Sequence, residues 1–202
     1  MKDKRAQLLL KRMMDIIVAA VLLMILSPVL LLIALGILIT SGLPILFRWN
    51  VVGKNGQPFT GYKFRTMVQN ADQIKNDLLA QNEMQGPVFK MKDDPRITPI
   101  GRWLRKFSLD ELPQLWSVLK GDMSLVGPRP PLQSEYEKFS EWQKKKLAVK
   151  PGMTSLWQVS GKPQNFDEWV RLDLEYIDHW SLWLDAQILF KTAIVVVTGK
   201  NH

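Results

Sequence analysis

A long apolar stretch dominates the first quarter of the chain. No charged residue occurs over positions 16–47, a run of 32 residues. A helix that crosses a bilayer needs about 20 residues, so the run is long for one crossing and short for two. Ser27-Pro28 interrupts it, and proline removes a helical hydrogen bond and bends the axis. The pattern predicts a membrane element over residues 1–48.

The charges that flank this stretch favour a helix that enters the membrane and returns. The basic residues before and after the run are Lys2, Lys4, Arg5, Lys11 and Arg12, then Arg48, Lys54, Lys63 and Arg65. Cytoplasmic flanks of membrane segments are enriched in Lys and Arg. Basic flanks at both ends favour a re-entrant helix, bent at Ser27-Pro28, and a single crossing is the alternative. Both ends would be cytoplasmic, with Trp49 at the membrane interface.

Residues 49–202 show the short patterns of a small globular domain. Alternating aromatic and basic residues over 60–67 predict an extended segment with Lys63 and Arg65 on one face. Helices are predicted over 70–84, 135–147, 166–179 and 182–197, and a short strand over 156–159. The fold class that follows is mainly α with a few short strands. A re-entrant helix-break-helix precedes a small cytoplasmic α/β catalytic domain, residues 49–202, with interfacial amphipathic helices.

Two adjacent carboxylates, Asp110 and Glu111, stand where another amphipathic helix is predicted to begin. The spacing of one buried helix face is kept by the residues that follow, Leu112, Leu115, Trp116 and Leu119. Either Ser108 and Glu111 form a capping box, or Asp110 is the N-cap and Pro113 lies in the first turn. Both starts place Asp110 in the first turn, where the helix dipole favours an ionised carboxylate.

This acidic pair is a candidate for catalysis. Neighbouring carboxylates resist ionising together, so one holds its proton more tightly, and the two can divide the roles of nucleophile and acid or base. Acidic residues also occur in first helical turns as caps alone, where each contributes about 0.3–1 kcal/mol. The position by itself leaves both interpretations open.

The amino-acid composition limits which partners and which catalytic groups this chain can use. The formal net charge of +8 indicates an anionic partner, from among nucleic acid, lipid head groups and phosphorylated substrates. The chain has no cysteine, which excludes disulfides, thiolate nucleophiles and cysteine zinc sites. Catalysis would depend on carboxylates, Lys, Arg and hydroxyls, and a metal would be a hard, oxygen-bound ion such as Mg²⁺. Arg129 stands between prolines in a stiff loop, 127–131, which lowers the entropic cost of presenting its guanidinium.

Several short motifs in this chain are typical of one known family. They are Lys11-Arg12-x-x-Asp15, Ser27-Pro28, Lys63-Phe64-Arg65-Thr66-Met67, Ser108-Leu109-Asp110-Glu111-Leu112-Pro113-Gln114, Lys120-Gly121-Asp122-Met123-Ser124, Gly127-Pro128-Arg129-Pro130 and Lys150-Pro151-Gly152. On these motifs the chain resembles the monotopic phosphoglycosyl transferases, bacterial enzymes that move a sugar-1-phosphate from a nucleotide sugar to polyprenyl phosphate. The resemblance covers nearly the whole chain. Some relatives carry further membrane helices and another domain upstream, so we expect the catalytic unit alone.

The resemblance implies a role for each motif residue. Asp110 would attack the sugar-bearing phosphate of a UDP-sugar, release UMP and carry a phosphosugar ester. Glu111 would deprotonate or position the polyprenyl phosphate, and Mg²⁺ held by Asp110 would neutralise the diphosphate. The residues expected to bind substrate are Lys63, Arg65, Arg105, Arg129, Gln158 and Lys162. Several relatives have arginine at position 162, and a lysine there is a point charge without a bidentate fork.

The resemblance also implies partners and a location. These are a UDP-sugar, polyprenyl phosphate and one leaflet of the bacterial inner membrane, with the catalytic domain on the cytoplasmic face. Nucleic acid is not expected, and a homo-oligomer is compatible with the sequence. A membrane-anchored binding module for nucleic acid or acidic lipid would give no reason for paired carboxylates beside arginines. A polyprenyl-diphosphate hydrolase, using water in place of the lipid, is the nearer alternative, and no residue identifies the sugar.

Overall fold

A computed structural model of the chain describes residues 2–161 and 163–199, with side chains described from residue 5 onward. The α-helices are α1 (Lys2–Ser41), α2 (Ala71–Asp77), α3 (Pro99–Lys106), α4 (Leu115–Lys120), α5 (Gln133–Tyr136), α6 (Glu141–Lys144), α7 (Leu156–Val159), α8 (Phe166–Asp178) and α9 (Leu182–Thr198). The strands are β1 (Leu46–Val52), β2 (Pro58–Phe64), β3 (Ser124–Val126) and β4 (Gly152–Thr154). The chain is mostly helical with few short strands, as predicted.

The apolar run forms a single helix, α1, that carries Pro28 in its interior. Proline removes one backbone hydrogen bond, yet its fixed φ is close to the helical value. The neighbouring Ser27 hydroxyl donates to the Met24 carbonyl at 2.8 Å. The structure thus has one helix where a helix-break-helix was predicted, and the re-entrant path stays a proposal. Within α1, the segment Arg5–Ser41 could cross a membrane by length and composition alone.

Both halves of α1 pack against the globular part of the protein, at different places. Ala19, in the first half, belongs to a core cluster built with α4, β3, α8 and α9. Ile33 and Ile37, in the second half, pack with Phe64 of β2 and Leu104 of α3. Most of the apolar side chains between the two contacts, over 20–32, are exposed. The helix is held near both ends and leaves its middle uncovered.

Polar contacts fix the first half of α1. The Lys11 ammonium lies 2.6 Å from the Asp185 carboxylate and 3.1 Å from the Val126 carbonyl. The Asp15 carboxylate accepts a 3.0 Å hydrogen bond from the Leu125 N–H. The Arg12 guanidinium donates to the last carbonyls of α4, at 2.6 and 2.8 Å. Lys11 and Arg12 therefore anchor α1 to the domain, and Arg12 does so at the C-terminus of α4, where a cation is favourable.

Strands β1 and β2 form an antiparallel hairpin in which Trp49 is directly opposite Gly61. The predicted extended segment is confirmed, although it begins at Pro58 and ends at Phe64. Trp49 is only 7% exposed, so its predicted place at the membrane interface is wrong. The hairpin pairing turns the indole onto the hairpin's own surface, where the missing side chain of Gly61 leaves room for it.

Local side-chain hydrogen bonds shorten two of the predicted helices. The helix predicted over 70–84 ends at Asp77, because the Asn82 side chain instead bonds loop backbone at residues 84, 88 and 90. The helix predicted over 135–147 is broken, since the Gln143 side chain accepts the Ser140 N–H and starts α6 afresh.

The short strand predicted over 156–159 is also wrong, because this segment is helix α7. The strand is Gly152–Thr154, which pairs in parallel with β3. A 3.0 Å bond from the Ser155 hydroxyl to the Gln158 side chain closes the helical turn that follows. The two C-terminal helices, α8 and α9, are confirmed to within one residue at each end.

The apolar side chains of α9 are covered only in part. Ile188 is buried in the same cluster as Ala19. Large apolar side chains elsewhere on the helix are exposed: Trp183, Phe190, Ile194 and Val197. The prediction for α4 is likewise only partly right, since Leu115 is buried whereas Trp116 is exposed.

Candidate active site

Asp110 and Glu111 lie on a 3₁₀ turn, Leu109–Gln114, between α3 and α4. Ser108, just before it, has a left-handed backbone with φ 53°, a strained conformation for a residue other than glycine. Its carbonyl oxygen accepts the Glu111 N–H at 3.2 Å. Of the two predicted starts, the structure has the N-cap at Ser108 and not at Asp110, but without the side-chain cap bond that a capping box requires. Asp110 does lie in the first turn, as predicted.

Helix α3 brings Arg105 to this turn by packing closely on the residues after β2. Gly101 of α3 lies so near the Thr66 carbonyl that a Cβ at this position would overlap it. One helical turn later, the Arg105 Nε donates to the Thr66 hydroxyl at 2.9 Å. The hydroxyl orients the planar guanidinium, which therefore reaches the acidic pair in a fixed direction.

Lys63 approaches the acidic pair from β2. Its ammonium lies 2.5 Å from the Glu111 Oε1 atom and 4.5 Å from the centroid of the Trp49 ring. The predicted grouping of Asp110, Glu111, Lys63 and Arg105 is thus present in the fold. Two cations face two carboxylates, which is a suitable setting for chemistry on phosphates.

The environment changes the acidity of Asp110. This carboxyl is 8% exposed, and burial together with the Glu111 charge raises its pKa to about 6, whereas Lys63 and Arg105 act in the opposite direction. Burial lowers the pKa of Arg105, and the Asp110 charge counteracts that shift. At neutral pH, Asp110 is ionised yet more basic than an ordinary aspartate. A poorly solvated, more basic carboxylate with cations beside it can act as a nucleophile toward phosphorus.

The residues fit a magnesium site that substrate would complete. Asp110 and Glu111 offer hard carboxylate oxygens, and Mg²⁺ is commonly held by one or two carboxylates together with phosphate oxygens and water. Over 2–161 and 163–199, no group of three acidic or histidine side chains forms a closed metal cage. Lys63 already binds Glu111, so Asp110 is the carboxylate left to hold a metal.

Arg129 belongs to a second polar group. Its Nη1 atom lies 3.5 Å from the Glu135 carboxylate, and its guanidinium is 6.0 Å from the Trp169 ring centroid. Asp173, four residues after Trp169 on α8, forms a buried ion pair with Lys146 at 2.5 Å. Arg129 acts on the charge of the buried Asp173, whereas Lys63 and Arg105 act on the charge of Asp110. The contacts of Arg129 are thus those of this second group.

The remaining predicted binding residues are spread over the chain. Gln158 is half-buried on α7, next to Trp157, whose ring stacks on Trp169 at 3.9 Å. Arg65 does not join the acidic pair, since its guanidinium donates to backbone carbonyls at the end of α1 and just after it, at residues 41, 42 and 43. Lys162 lies outside the described residues.

Sequence reasoning missed two residues of the site. Thr66 orients Arg105, and Trp49 lies under the Lys63 ammonium. Thr66 stands inside the quoted Lys63–Met67 motif, so the motif itself was a signal for it. Trp49 had no local signal, because its place beside Lys63 comes from the pairing of two strands.

Comparison with known proteins gives the family. Residues 6–199 match the sequence model of a family described as bacterial sugar transferase. The chain is 50% identical to galactosyl transferase CpsE of Streptococcus agalactiae serotype III over 98% of its own length and 44% of the relative. It is 45% identical to undecaprenyl-phosphate galactose phosphotransferase of Salmonella typhimurium, covering 96% of this chain and 42% of that protein. A UDP-galactose-lipid carrier transferase of Erwinia amylovora is 41% identical over 96% of this chain and 42% of the relative. The chain thus spans less than half the length of these relatives.

Proposed function

This chain belongs to the bacterial sugar transferase family, and from that premise we propose that it transfers a sugar-1-phosphate from a UDP-sugar to undecaprenyl phosphate and releases UMP. Two of the relatives are named for this kind of transfer, an undecaprenyl-phosphate phosphotransferase and a UDP-galactose-lipid carrier transferase. The product would be the first membrane-bound intermediate of an exopolysaccharide, capsule, O-antigen or glycoconjugate. The enzyme is then a phosphoglycosyl transferase.

The observation that carries the proposal is the setting of Asp110. This aspartate is buried on a strained turn beside a second carboxylate, and its pKa is raised to about 6 by burial and by that neighbour. Lys63 and Arg105 stand on the two elements that flank it. A carboxylate needed only to cap a helix gains from exposure to solvent and from ordinary acidity, and Asp110 has neither.

The proposed reaction has two steps. An Asp110 carboxylate oxygen forms a bond to the sugar-bearing phosphorus of the donor, and the phosphoanhydride bond to UMP breaks with its electron pair leaving on UMP. A polyprenyl phosphate oxygen then attacks the same phosphorus, so that a diphosphate bond forms and the Asp110 carboxylate is released. Glu111 would hold or deprotonate the incoming lipid phosphate. Arg105 and Lys63 would stabilise the negative charge on the transferred phosphoryl group.

A bound Mg²⁺ would neutralise charge on the diphosphate of the donor. Asp110 would hold this ion together with oxygens of the donor. Arg129 would bind a more distant phosphate or the nucleotide end of the donor. The separate Arg129 group, with its stacked Trp157 and Trp169, supports that division, because an arginine over an aromatic ring presents a flat, bidentate donor. Gln158 would bind the same part of the donor as Arg129.

The membrane part of the proposal is a re-entrant α1 with the domain on the cytoplasmic face of one leaflet. It is supported by the packing of both halves of α1 on the domain and by the exposed apolar side chains between them. The exposed apolar side chains of α9, together with Trp103 and Trp116, would contact the interface. A single crossing would place the two flanks on opposite sides, away from a common domain.

Topology can be tested directly, because the chain has no cysteine of its own. Lys4→Cys and Lys54→Cys variants should both resist a membrane-impermeant thiol reagent in intact cells and react after lysis. Reaction of only one of them before lysis contradicts the re-entrant path. The transfer chemistry does not depend on this outcome.

The chemistry is tested by a half-reaction. Purified protein given a UDP-sugar and Mg²⁺ without lipid should release at most about one UMP per active site and gain a phosphosugar on the peptide that contains Asp110, as ping-pong catalysis requires. Asp110→Asn should do neither. Wild-type protein that is active with lipid but gives no UMP burst and no adduct would show direct transfer instead. Release of free sugar phosphate without a lipid product would identify a hydrolase.

A further inference from the structure

The β1–β2 hairpin places Trp49 directly against Lys63, the lysine that binds Glu111. Trp49 is buried and faces Gly61 across the two strands. A Cβ on Gly61 would overlap the indole Nε1, Cδ1 and Cε2 atoms, so the ring lies flat over the backbone of β2. Only glycine at this position allows so close an approach.

Lys63 follows Gly61 by two residues, so both face the same side of β2. Its ammonium lies over the indole face at 4.5 Å and touches Glu111 at 2.5 Å. The indole and the carboxylate thus hold one ammonium from two sides. Tryptophan is the strongest of the aromatic partners for a cation, and partial burial strengthens the attraction because water screens it less. The side chain of Lys63 is 22% exposed, which leaves room for one substrate oxygen.

We propose that Trp49 is a positioning residue of the active site, which holds the Lys63 ammonium on Glu111 and thereby leaves the Asp110 oxygens available to attack the donor. This inference rests on the proposed function for what Asp110 does. Among the described residues, Lys63 forms its ion pair with Glu111 and not with Asp110. A lysine with four rotatable bonds and no fixed partner on its other side would reach Asp110 as well, and a direct ion pair there would compete with the nucleophilic attack. Trp49 prevents this by fixing the ammonium in place.

The activity test compares two substitutions at one position. Trp49→Phe keeps an aromatic face, whereas Trp49→Leu keeps apolar volume without one. We expect Trp49→Leu to slow formation of the Asp110 adduct about tenfold, and Trp49→Phe to retain a rate within about threefold of the wild type. The matched control is Val51→Ala, on the same face of β1 and equally buried, which removes core volume without touching Lys63 and should leave the rate nearly unchanged. Equal losses for Trp49→Leu and Trp49→Phe overturn the proposal.

Coupling with Lys63 separates positioning from a general loss of structure. In a Lys63→Met background, adding Trp49→Leu should slow adduct formation no further, since Trp49 acts only through the lysine. Independent, multiplying losses would show that Trp49 supports the fold and not the ammonium, and they overturn the inference.

A second readout does not require activity. Brief acylation of the folded protein followed by peptide mass spectrometry measures how freely the Lys63 amine reacts. Labelling of Lys63 should rise several-fold in Trp49→Leu and in Gly61→Ala, whose added methyl displaces the ring, but not in Val51→Ala. Unchanged labelling in both variants contradicts the inference. If the wild-type protein transfers no sugar phosphate at all, the proposed function fails, while the labelling result still decides whether Trp49 positions Lys63.

Discussion

Two buried aspartates in this protein, Asp110 and Asp173, have nearly the same local description. Each is less than a tenth exposed, each has its pKa raised first of all by burial, and each has a lysine nearby. The lysine of Asp173 is Lys146, which lies 2.5 Å away and is as buried as its partner. The lysine near Asp110 is Lys63, which is bound 2.5 Å from the neighbouring Glu111 instead.

The difference shows which features mark a reactive carboxylate. Asp173 and Lys146 neutralise each other one to one inside the core, where no substrate can reach them. Asp110 shares its surroundings with a second carboxylate and stands on a strained turn. Burial and a raised pKa are therefore common to both aspartates, whereas a neighbouring carboxylate and a strained turn distinguish Asp110 from Asp173.

The largest expected effect separates activity from stability at Asp110. Asp110→Asn should lower adduct formation by more than about 10³-fold, because an amide is a poor nucleophile. It should also raise the melting temperature. A pKa raised on folding stabilises the native state below the unfolded value of 3.8, and that contribution is lost as the pH rises through about 6. At neutral pH the native state thus carries an unfavourable charge that Asn removes.

Parallel activity assays and thermal unfolding in detergent check this prediction, with Glu111→Gln beside it. A melting temperature that falls in Asp110→Asn would mean that this carboxylate supports the fold, as Asp173 does.

At Asp173, substitution by Asn should lower the stability of the folded protein, whereas at Asp110 it should raise it. Asp173→Asn leaves the Lys146 ammonium buried without its counter-charge, which costs about 3–5 kcal/mol of unfolding free energy. The double variant Lys146→Met with Asp173→Leu should recover most of it, since apolar side chains of similar size replace the pair. Urea unfolding measures both.

The exposed pair of Lys144 and Glu141 is the control for this measurement. Lys144→Ala there should change the urea midpoint very little, because water screens an exposed ion pair. If Asp173→Asn is as mild as this control, the buried pair is not the structural counterpart that the comparison requires.

A smaller effect is expected at Arg129, whose charge acts on Asp173. Arg129→Lys keeps the charge but loses the bidentate fork, and we expect a loss of about tenfold in kcat/KM for the donor. Arg129→Ala should lose about tenfold more. The measurement is donor kinetics at saturating lipid. Near-normal kinetics for both variants would assign Arg129 to the structural group of Asp173, as a partner of Glu135 alone.

The smallest effect is a shift in pH dependence. Adduct formation needs ionised Asp110, so its rate should fall about tenfold per pH unit below about pH 6. The Glu111 charge contributes to the raised pKa, so Glu111→Gln should move this acid limb to lower pH. Single-turnover rates measured across this pH range would show the direction of the shift. A limb that moves upward or stays in place would show that Glu111 does not act on the Asp110 charge.

The sequence located the acidic pair and its two cations, because motif spacing and helix-start chemistry are local. The sequence could not show that Lys146 is buried. It stands next to other lysines, and such a cluster is expected to be exposed to solvent. Only the packing of α8 against this segment buries it. The predictions for Arg65 and Trp49 were wrong for the same kind of reason. Arg65 binds carbonyls at the end of α1. Trp49 packs on its hairpin partner, Gly61, twelve residues away. Contacts between distant elements decide such cases, and no local pattern records them.

Helix α4 connects two fixed points. Asp110 and Glu111 precede its first turn, and the carbonyls of Val118 and Leu119 at its other end accept hydrogen bonds from Arg12 of α1. One residue inserted between them would turn one end against the other by about 100° and shift it by about 1.5 Å. Such a change would aim the carboxylates away from Lys63 or release the anchor at Arg12. The number of residues in this stretch therefore sets how the acidic pair is oriented relative to the anchor at Arg12.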